Sequence, residues 1–239
     1  MATMLSRLNA ALVAEAVGTF LFFFVGAGAV VLTADASISP GLVGVALAHG
    51  LALAVLVSAF GAISGAHFNP AVTVAARLAG KIEWSHAVMY VVAQLIGALA
   101  AGFLLRAVLP EALWSATNIG TPALGSGIGI WAGIAIEAVL TLLLVLAVFG
   151  TAIDARAPKI GGLAIGLAVA ADIFMGGPLT GAAMNPARWF GPAVASGAYA
   201  DWYVWWVGPL IGAIVAAVLY RYVFAGEAEP QVSPATPEG

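Results

Sequence analysis

The chain has 239 residues, of which 63% are hydrophobic and only 8% are charged, with a formal net charge of −3 and no cysteine. Soluble domains carry about 25% charged residues, so this composition excludes an ordinary soluble protein. The lack of cysteine excludes disulfides and thiolate metal sites. No basic stripe indicates nucleic-acid binding, and no nucleophile–base or metal-ligand spacing indicates an enzyme, a metal site or a bound cofactor.

Long apolar runs divide the chain. A helix needs about 20 mostly apolar residues to cross a hydrocarbon core of about 30 Å. Six runs meet this requirement, at roughly 10–32, 41–63, 86–109, 128–150, 160–176 and 202–224. A large soluble α-helical domain is the alternative, but six nearly charge-free runs favour an all-α, multi-pass protein of the lipid bilayer. We expect the first run to be a retained helix, because residues 1–9 do not look like a cleaved signal.

Basic residues indicate the orientation, since cytoplasmic loops carry an excess of Lys and Arg. With a cytoplasmic N-terminus, six basic residues fall inside: Arg7, Arg77, Lys81, Arg156, Lys159 and Arg221. Only Arg106 and Arg188 fall on the far side. We therefore expect both termini in the cytoplasm, the second as a polar, Pro-rich, disordered tail at 226–239.

The two halves of the chain resemble one another. The stretch AEAVGTFLFFF matches IEAVLTLLLVL, and ISGAHFNPA matches LTGAAMNPA. Each half contains three spans and one Asn-Pro-Ala loop, and an odd number of spans turns the second copy over in the membrane. This predicts an inverted repeat with units 1–119 and 120–225, an architecture that places permeation or binding sites near mid-membrane.

The loop at roughly 64–85 is too apolar for a surface loop, which predicts a re-entrant half-helix. Asn suits a helix N-cap and Pro the first helical position. The two motifs are Asn69, Pro70, Ala71 and Asn185, Pro186, Ala187. Irregular backbone at this depth must be buried or line a water-filled cavity. Two such ends meeting mid-membrane would repel cations, while the amides donate to a passing neutral molecule. A role in capping alone is the alternative.

As a set, SGAHFNPAVT, AAMNPARWFGPAVASG, WWVGPLIG and the paired EAV stretches resemble the aquaporin, or major intrinsic protein, family over almost the whole chain. The resemblance implies six spans with two half-helices, a homotetramer with four pores, and passive conduction of water or small neutral solutes. It also implies that Glu15 and Glu137 brace the re-entrant loops.

The resemblance further implies a narrow filter near the outer mouth, made by His49, Ile173, Ala182 and Arg188. This set looks like that of the plant tonoplast intrinsic proteins, a group associated with water and variously with ammonia, urea and hydrogen peroxide. Because Ala is small and Ile cannot hydrogen-bond, we expect the filter to be wide and polar on one side only.

Four further residues are candidates for supporting the pore. We expect His67 to line the cytoplasmic vestibule, Asn118 to add a fifth filter contact, and Trp189 to pack so that Arg188 stays in place. Asp172 would satisfy His49 or the outer loop 110–127. If Asp172 holds His49 protonated, permeability should change between about pH 5 and 8.

The favoured function is a water channel that also passes small neutral solutes such as ammonia or urea, while excluding ions and protons. A glycerol or urea facilitator with low water flux is the close alternative. A coupled transporter would need more titratable residues along its path, and a purely structural role would not need both Asn residues and Arg188. The short chain with brief termini is typical of a prokaryotic plasma-membrane protein, whereas the tonoplast resemblance by itself implies a vacuolar membrane.

Overall fold

The computed structural model describes residues 2–158 and 160–224, and the predicted tail at 226–239 lies outside them. Within the described residues every regular element is helical. The α-helices are α1 (Ala2–Val31), α2 (Gly41–Ser64), α3 (Pro70–Leu78), α4 (Trp84–Val108), α5 (Glu111–Ala116), α6 (Ile130–Val148), α7 (Gly161–Thr180), α8 (Pro186–Ser196) and α9 (Val204–Leu219). Short 3-10 turns cover Leu32–Ala34 and Asn118–Gly120, and π-helical turns at Phe149–Ile153 and Tyr220–Phe224 extend α6 and α9.

Six of the described helices, α1, α2, α4, α6, α7 and α9, are long and apolar enough to cross a membrane. Their outward faces carry apolar side chains such as Val55, Val139 and Leu167, which are more than half exposed. Lipid can cover such faces without the free-energy cost of exposing apolar side chains to water. The prediction of an integral, multi-pass membrane protein with six spans is confirmed.

The fifth span is longer than the sequence predicts. Helix α7 continues to Thr180 although Pro178 lies inside it. Proline lacks a backbone N–H, so only the hydrogen bond to the preceding turn is lost there. The helix ends at Gly181, whose φ of 80° is left-handed.

The two short helices α3 and α8 are the predicted half-helices. Each begins at its motif proline, and the preceding Asn accepts a hydrogen bond from a backbone N–H of the first turn. Asn69 Oδ1 accepts from Ala71 N at 2.8 Å, and Asn185 Oδ1 accepts from Ala187 N at 3.0 Å. The fold is thus all-α with an inverted repeat; the exact unit boundaries at 119 and 120 stay a prediction.

Small residues allow the spans to pack closely in matching pairs. On α1 and α4, a side chain at Gly97 would collide with the backbone of Ala16. Gly212 has the same relation to Ala138 on α9 and α6. Membrane helices pack through such small residues, because lipid provides no hydrophobic force to drive them together.

Helices α2 and α7 meet at Gly50, and we predict that Gly50→Ala disrupts this contact. A Cβ at position 50 would lie 2.6 Å from the carbonyl oxygen of Gly166, and overpacking of this kind costs about 1–3 kcal/mol. We expect a lower thermal unfolding midpoint for the purified protein in detergent.

The matched control is Gly61→Ala, the same change on the same helix, where an added Cβ meets nothing within 4 Å. This variant should unfold at or above the wild-type midpoint. Equal midpoints for the two variants would show that the Gly50 contact does not limit packing.

Candidate functional site

Two cavities lie between the helices and approach each other from opposite ends of the bundle. The larger, about 920 Å³, runs from the α3–α4 and α6–α7 connections inward past both motif asparagines. The smaller, about 430 Å³, opens between the α1–α2 connection and residues 120–123. Both are lined by His49, Ile173 and Arg188. The two cavities therefore define a path through the bundle whose narrow point is at these three residues.

Glu15, fully buried on α1, holds the first re-entrant loop. Its carboxylate accepts hydrogen bonds from the backbone N–H groups of His67 at 3.0 Å and Phe68 at 2.8 Å. It also accepts from Ser64 Oγ at 2.6 Å and Gln94 Nε2 at 2.8 Å. A buried carboxylate with four donors is fully satisfied, so it can orient a loop that has no regular structure of its own.

Glu137, fully buried on α6, does the same for the second loop. It accepts from the backbone N–H groups of Ala183 at 2.9 Å and Met184 at 2.7 Å, and from Thr180 Oγ1 at 2.7 Å. The two glutamates therefore make equivalent contacts in the two halves. This is the geometry that a loop-bracing role requires.

Left-handed backbone explains why the loops need this support. Phe68 and Met184, each directly before a motif asparagine, have φ values of 49° and 52°. Non-glycine residues adopt this region at a cost, and such strain persists only where the surroundings fix it. The glutamates bind the N–H groups of these same two residues.

A second pair of donors was missed in the sequence. Tyr90 Oη donates to the carbonyl of Ser64 at 2.9 Å, and Trp205 Nε1 donates to the carbonyl of Thr180 at 2.9 Å. Each bond satisfies the last carbonyl of the helix that leads into a re-entrant loop. The sequence contains a signal for this pair, because Tyr90 and Trp205 precede the matching glycines Gly97 on α4 and Gly212 on α9 at the same spacing.

The motif asparagines connect the two loops. Asn69 Nδ2 donates to the carbonyl of Met184, and Asn185 Nδ2 donates to the carbonyl of Phe68, both at 2.9 Å. Each carboxamide has two N–H groups, and both asparagines line the larger cavity. Among the described residues the second N–H of each has no partner, so it is available to a molecule in the cavity.

At the narrow point Arg188 is held on two sides. Its Nε donates to His49 Nε2 at 3.2 Å, and its Nη1 donates to the carbonyl of Gly120 at 2.8 Å. The side chain is 3% exposed yet lines both cavities. A guanidinium has five N–H groups, so the remaining ones can bind an oxygen atom of a permeating molecule.

Ile173 and Ala182 also line the larger cavity, and they offer no hydrogen-bonding side chain. Of the four residues carried over from the family resemblance, His49, Ile173 and Arg188 line both cavities, and Ala182 lines only the larger one. His49 fits there because Gly26 leaves room: a Cβ at Gly26 would lie 2.5 Å from the imidazole.

The hypothesis that Asp172 holds His49 protonated is wrong in this structure. His49 Nε2 accepts from Arg188, so it carries a lone pair, while Nδ1 donates to the carbonyl of Val45 at 2.9 Å. The imidazole is therefore neutral and both nitrogens are engaged. Asp172 is buried on α7, lines neither cavity, and its Oδ2 has no hydrogen-bond partner among the described residues.

The structure does not show the predicted fifth filter contact from Asn118. Asn118 lines neither cavity, and its carbonyl accepts from Thr121 within the loop. The loop contact to Arg188 comes instead from the carbonyl of Gly120. A backbone carbonyl leaves no mark in a sequence, so side-chain reasoning could not find it.

Two further candidates are His67, in the loop before α3, and Trp189, on α8. His67 lines the larger cavity, with Nδ1 3.1 Å from Thr73 Oγ1. Trp189 lines neither cavity and stacks on Trp205 at 6.0 Å between ring centroids, with an interplanar angle of 7°. Trp189 therefore packs α8 against α9; that it also holds Arg188 in place stays a prediction.

We predict that Glu137→Gln loosens the second loop. An amide cannot accept from all three donors without turning its own NH₂ toward one of them, and an unsatisfied buried donor costs about 1–3 kcal/mol. The unfolding midpoint in detergent should fall, together with permeability. Glu111→Gln, at an exposed glutamate on α5, is the control and should change neither; wild-type behaviour of Glu137→Gln would exclude the bracing role.

Comparisons with known proteins agree with this geometry. The family model described as Major intrinsic protein matches residues 3–220. Aquaporin TIP2-1 of Arabidopsis thaliana is 43% identical over 227 residues, which cover 92% of this chain and 89% of that protein. Aquaporin TIP4-4 of Zea mays is 43% identical over 226 residues, with coverages of 91% and 87%. The X-ray structure of the aquaglyceroporin from Plasmodium falciparum aligns with a TM-score of 0.75 and 25% identity over 90% of this chain and 96% of that chain. The chain therefore belongs to the major intrinsic protein family.

Proposed function

We propose that this membrane channel conducts water and, in addition, small neutral solutes such as ammonia or urea, while excluding ions and protons. The observation that carries the proposal is the lining where the two cavities approach each other: Arg188 and His49 provide polar groups and Ile173 an apolar surface, and Ala182 lines the larger cavity. The similar aquaporins of Arabidopsis and maize support water as a substrate.

Conduction of neutral molecules follows from the donors along the path. A molecule that leaves bulk water loses hydrogen bonds, and the free N–H groups of Arg188, Asn69 and Asn185 can replace some of them. Ile173 and Ala182 have no hydrogen-bonding side chain, so a solute that passes them does not have to displace strongly bound water. A small solute with one hydrogen-bonding side therefore suits the constriction.

Exclusion of ions follows from fixed positive charge. Helices α3 and α8 both begin near the centre of the path, and each N-terminus carries about half a positive charge. Arg188 adds a full charge at the constriction. This positive potential opposes the entry of cations, including hydronium.

A glycerol facilitator is the second candidate, and two observations favour it. The solved structure that aligns over 96% of its length is named an aquaglyceroporin. The constriction also has the small Ala182 where a bulkier side chain would narrow it. Flux measurements distinguish the two candidates, because glycerol is larger than ammonia or urea.

We predict fast water flux and slow glycerol flux for proteoliposomes mixed rapidly with hyperosmotic glycerol. Light scattering reports initial shrinkage, which gives water permeability, and later re-swelling, which gives glycerol entry. Fast shrinkage with re-swelling at the protein-free rate supports the proposal, and urea or ammonium gradients then test the smaller solutes. Fast re-swelling would favour the glycerol facilitator, and protein-free shrinkage would refute water conduction.

The same assay tests the constriction with a matched pair of variants on α7. Ile173→Phe fills the narrow point and should reduce solute flux more than water flux. Leu167→Phe makes a comparable change on the outward face, where Leu167 is 55% exposed, and should leave both fluxes unchanged. Equal effects of the two variants would place the constriction elsewhere.

The orientation and assembly of the channel are part of the proposal. The distribution of basic residues supports two cytoplasmic termini, and membership of the family supports a homotetramer with one pore per subunit. We place the channel in a prokaryotic plasma membrane. Members of this family are channels, so we assign no reaction and no cofactor. Protease access to the C-terminus in inside-out vesicles tests the orientation, and native mass spectrometry tests the assembly.

A further inference from the structure

The C-terminal ends of the two half-helices, here called their outer ends, need hydrogen-bond partners for their backbone carbonyls. The last four carbonyls of any α-helix lack partners within the helix. A helix of nine residues, such as α3, spans about 14 Å, so one that starts at mid-membrane ends near the edge of the hydrocarbon region. Partners for these carbonyls must therefore come largely from the protein.

The following turn supplies most of these partners to α3. Its backbone N–H groups bind three of the last four carbonyls: Ala79 N to Ala75 O at 2.9 Å, Lys81 N to Ala76 O at 2.8 Å, and Gly80 N to Arg77 O at 3.0 Å. The fourth carbonyl, that of Leu78, accepts from Arg221 Nη1 at 3.0 Å. Arg221 thus completes the hydrogen bonding of this helix end.

Helix α8, whose C-terminus lies at the opposite end of the bundle, also has an arginine bound to a carbonyl at its C-terminal end. The carbonyl of Ala195, next to the last residue of α8, accepts from Arg106 Nη1 at 2.7 Å. The backbone N–H groups of Gly197 and Ala198 both bind the carbonyl of Ala193, and that of Ala198 also lies 3.3 Å from Ser196 Oγ. A guanidinium at a helix C-terminus also meets the negative end of the helix dipole, which is favourable.

The two arginines occupy corresponding places in the inverted repeat. Arg106 follows Gly97 on α4 at the same spacing as Arg221 follows Gly212 at the end of α9. Each guanidinium also lies over an aromatic ring, that of Trp114 at 4.9 Å for Arg106 and that of Tyr222 at 5.4 Å for Arg221. The hydrogen bonds cross between repeats, since the third span of each half binds the half-helix of the other.

We propose that Arg106 and Arg221 are positioning residues of the pore, each fixing the outer end of the half-helix that belongs to the other repeat. Through Ala195, Arg106 sets the position of α8, which carries Arg188 at the constriction. Through Leu78, Arg221 sets the position of α3, which begins after Asn69. The inference rests on the proposed function, because it concerns helices that line the proposed pore.

Hydrogen–deuterium exchange of the full-length protein in liposomes tests the positions of the helices without reference to conduction. Arg221→Met should raise exchange in peptides covering 70–81, about fivefold for the loss of one charge-assisted bond that is partly open to solvent, and leave 186–198 unchanged. Arg106→Met should do the reverse. Lys at either position keeps one donor and the charge, and should restore most of the protection.

The control is Arg7→Met, which removes a positive charge from the exposed surface of α1 and should alter neither peptide. A rise in both peptides with either variant would indicate general destabilisation and overturn the proposal. Unchanged exchange in the arginine variants would overturn it as well.

Permeation supplies the second readout. Arg106→Met should change the ratio of urea to water permeability, because α8 carries part of the constriction. Arg221→Met should lower both permeabilities together and keep the ratio, since α3 does not reach that point. A reversed pattern would overturn the assignment of each arginine to its helix. Wild-type protein that conducts neither water nor solute would refute the proposed function instead, while the exchange data would still decide whether the arginines hold the half-helices.

Discussion

The absence of water from a hydrocarbon core requires every backbone polar group there to find a partner inside the protein. Regular helices meet this requirement by themselves, but the two re-entrant loops do not. Glu15 and Glu137 supply the missing acceptors, because their carboxylate oxygens accept hydrogen bonds from backbone N–H groups of the loops. The path through the bundle depends on these two buried carboxylates, although neither lines it.

One consequence is that the loops are held in a conformation they would not adopt alone. The left-handed residues Phe68 and Met184 present their N–H groups to the glutamates and their carbonyls to the asparagine of the opposite loop. The two halves therefore support each other at the centre. The arginine bonds at the outer ends of α3 and α8 cross between the halves in the same way, so each half-helix is held at both ends by groups from the other repeat.

Much of the fold could be predicted because its signals are local. Six apolar runs predict six spans, and the Asn-Pro pairs at matching places in the two halves predict the two half-helix starts. The residues of the site were harder to predict. Ile173 and Ala182 are identifiable only through the family resemblance, since each is an ordinary residue for a membrane protein, and the resemblance also assigns His49 to the filter. The hypothesis about Asp172 failed because adjacency in sequence to Ile173 does not give proximity to His49: neighbours on a helix point about 100° apart.

By itself the sequence determined the number of spans, the inverted repeat, the two half-helices and the buried glutamates, because each depends on composition or on a short pattern that acts locally. Only the tertiary structure decided which groups meet. The contact of Arg188 with the Gly120 carbonyl, the neutral state of His49 and the crossed bonds of Arg106 and Arg221 join residues far apart in the chain. Such contacts involve backbone atoms or relative helix positions, and these are set by packing of the whole bundle rather than by any one segment.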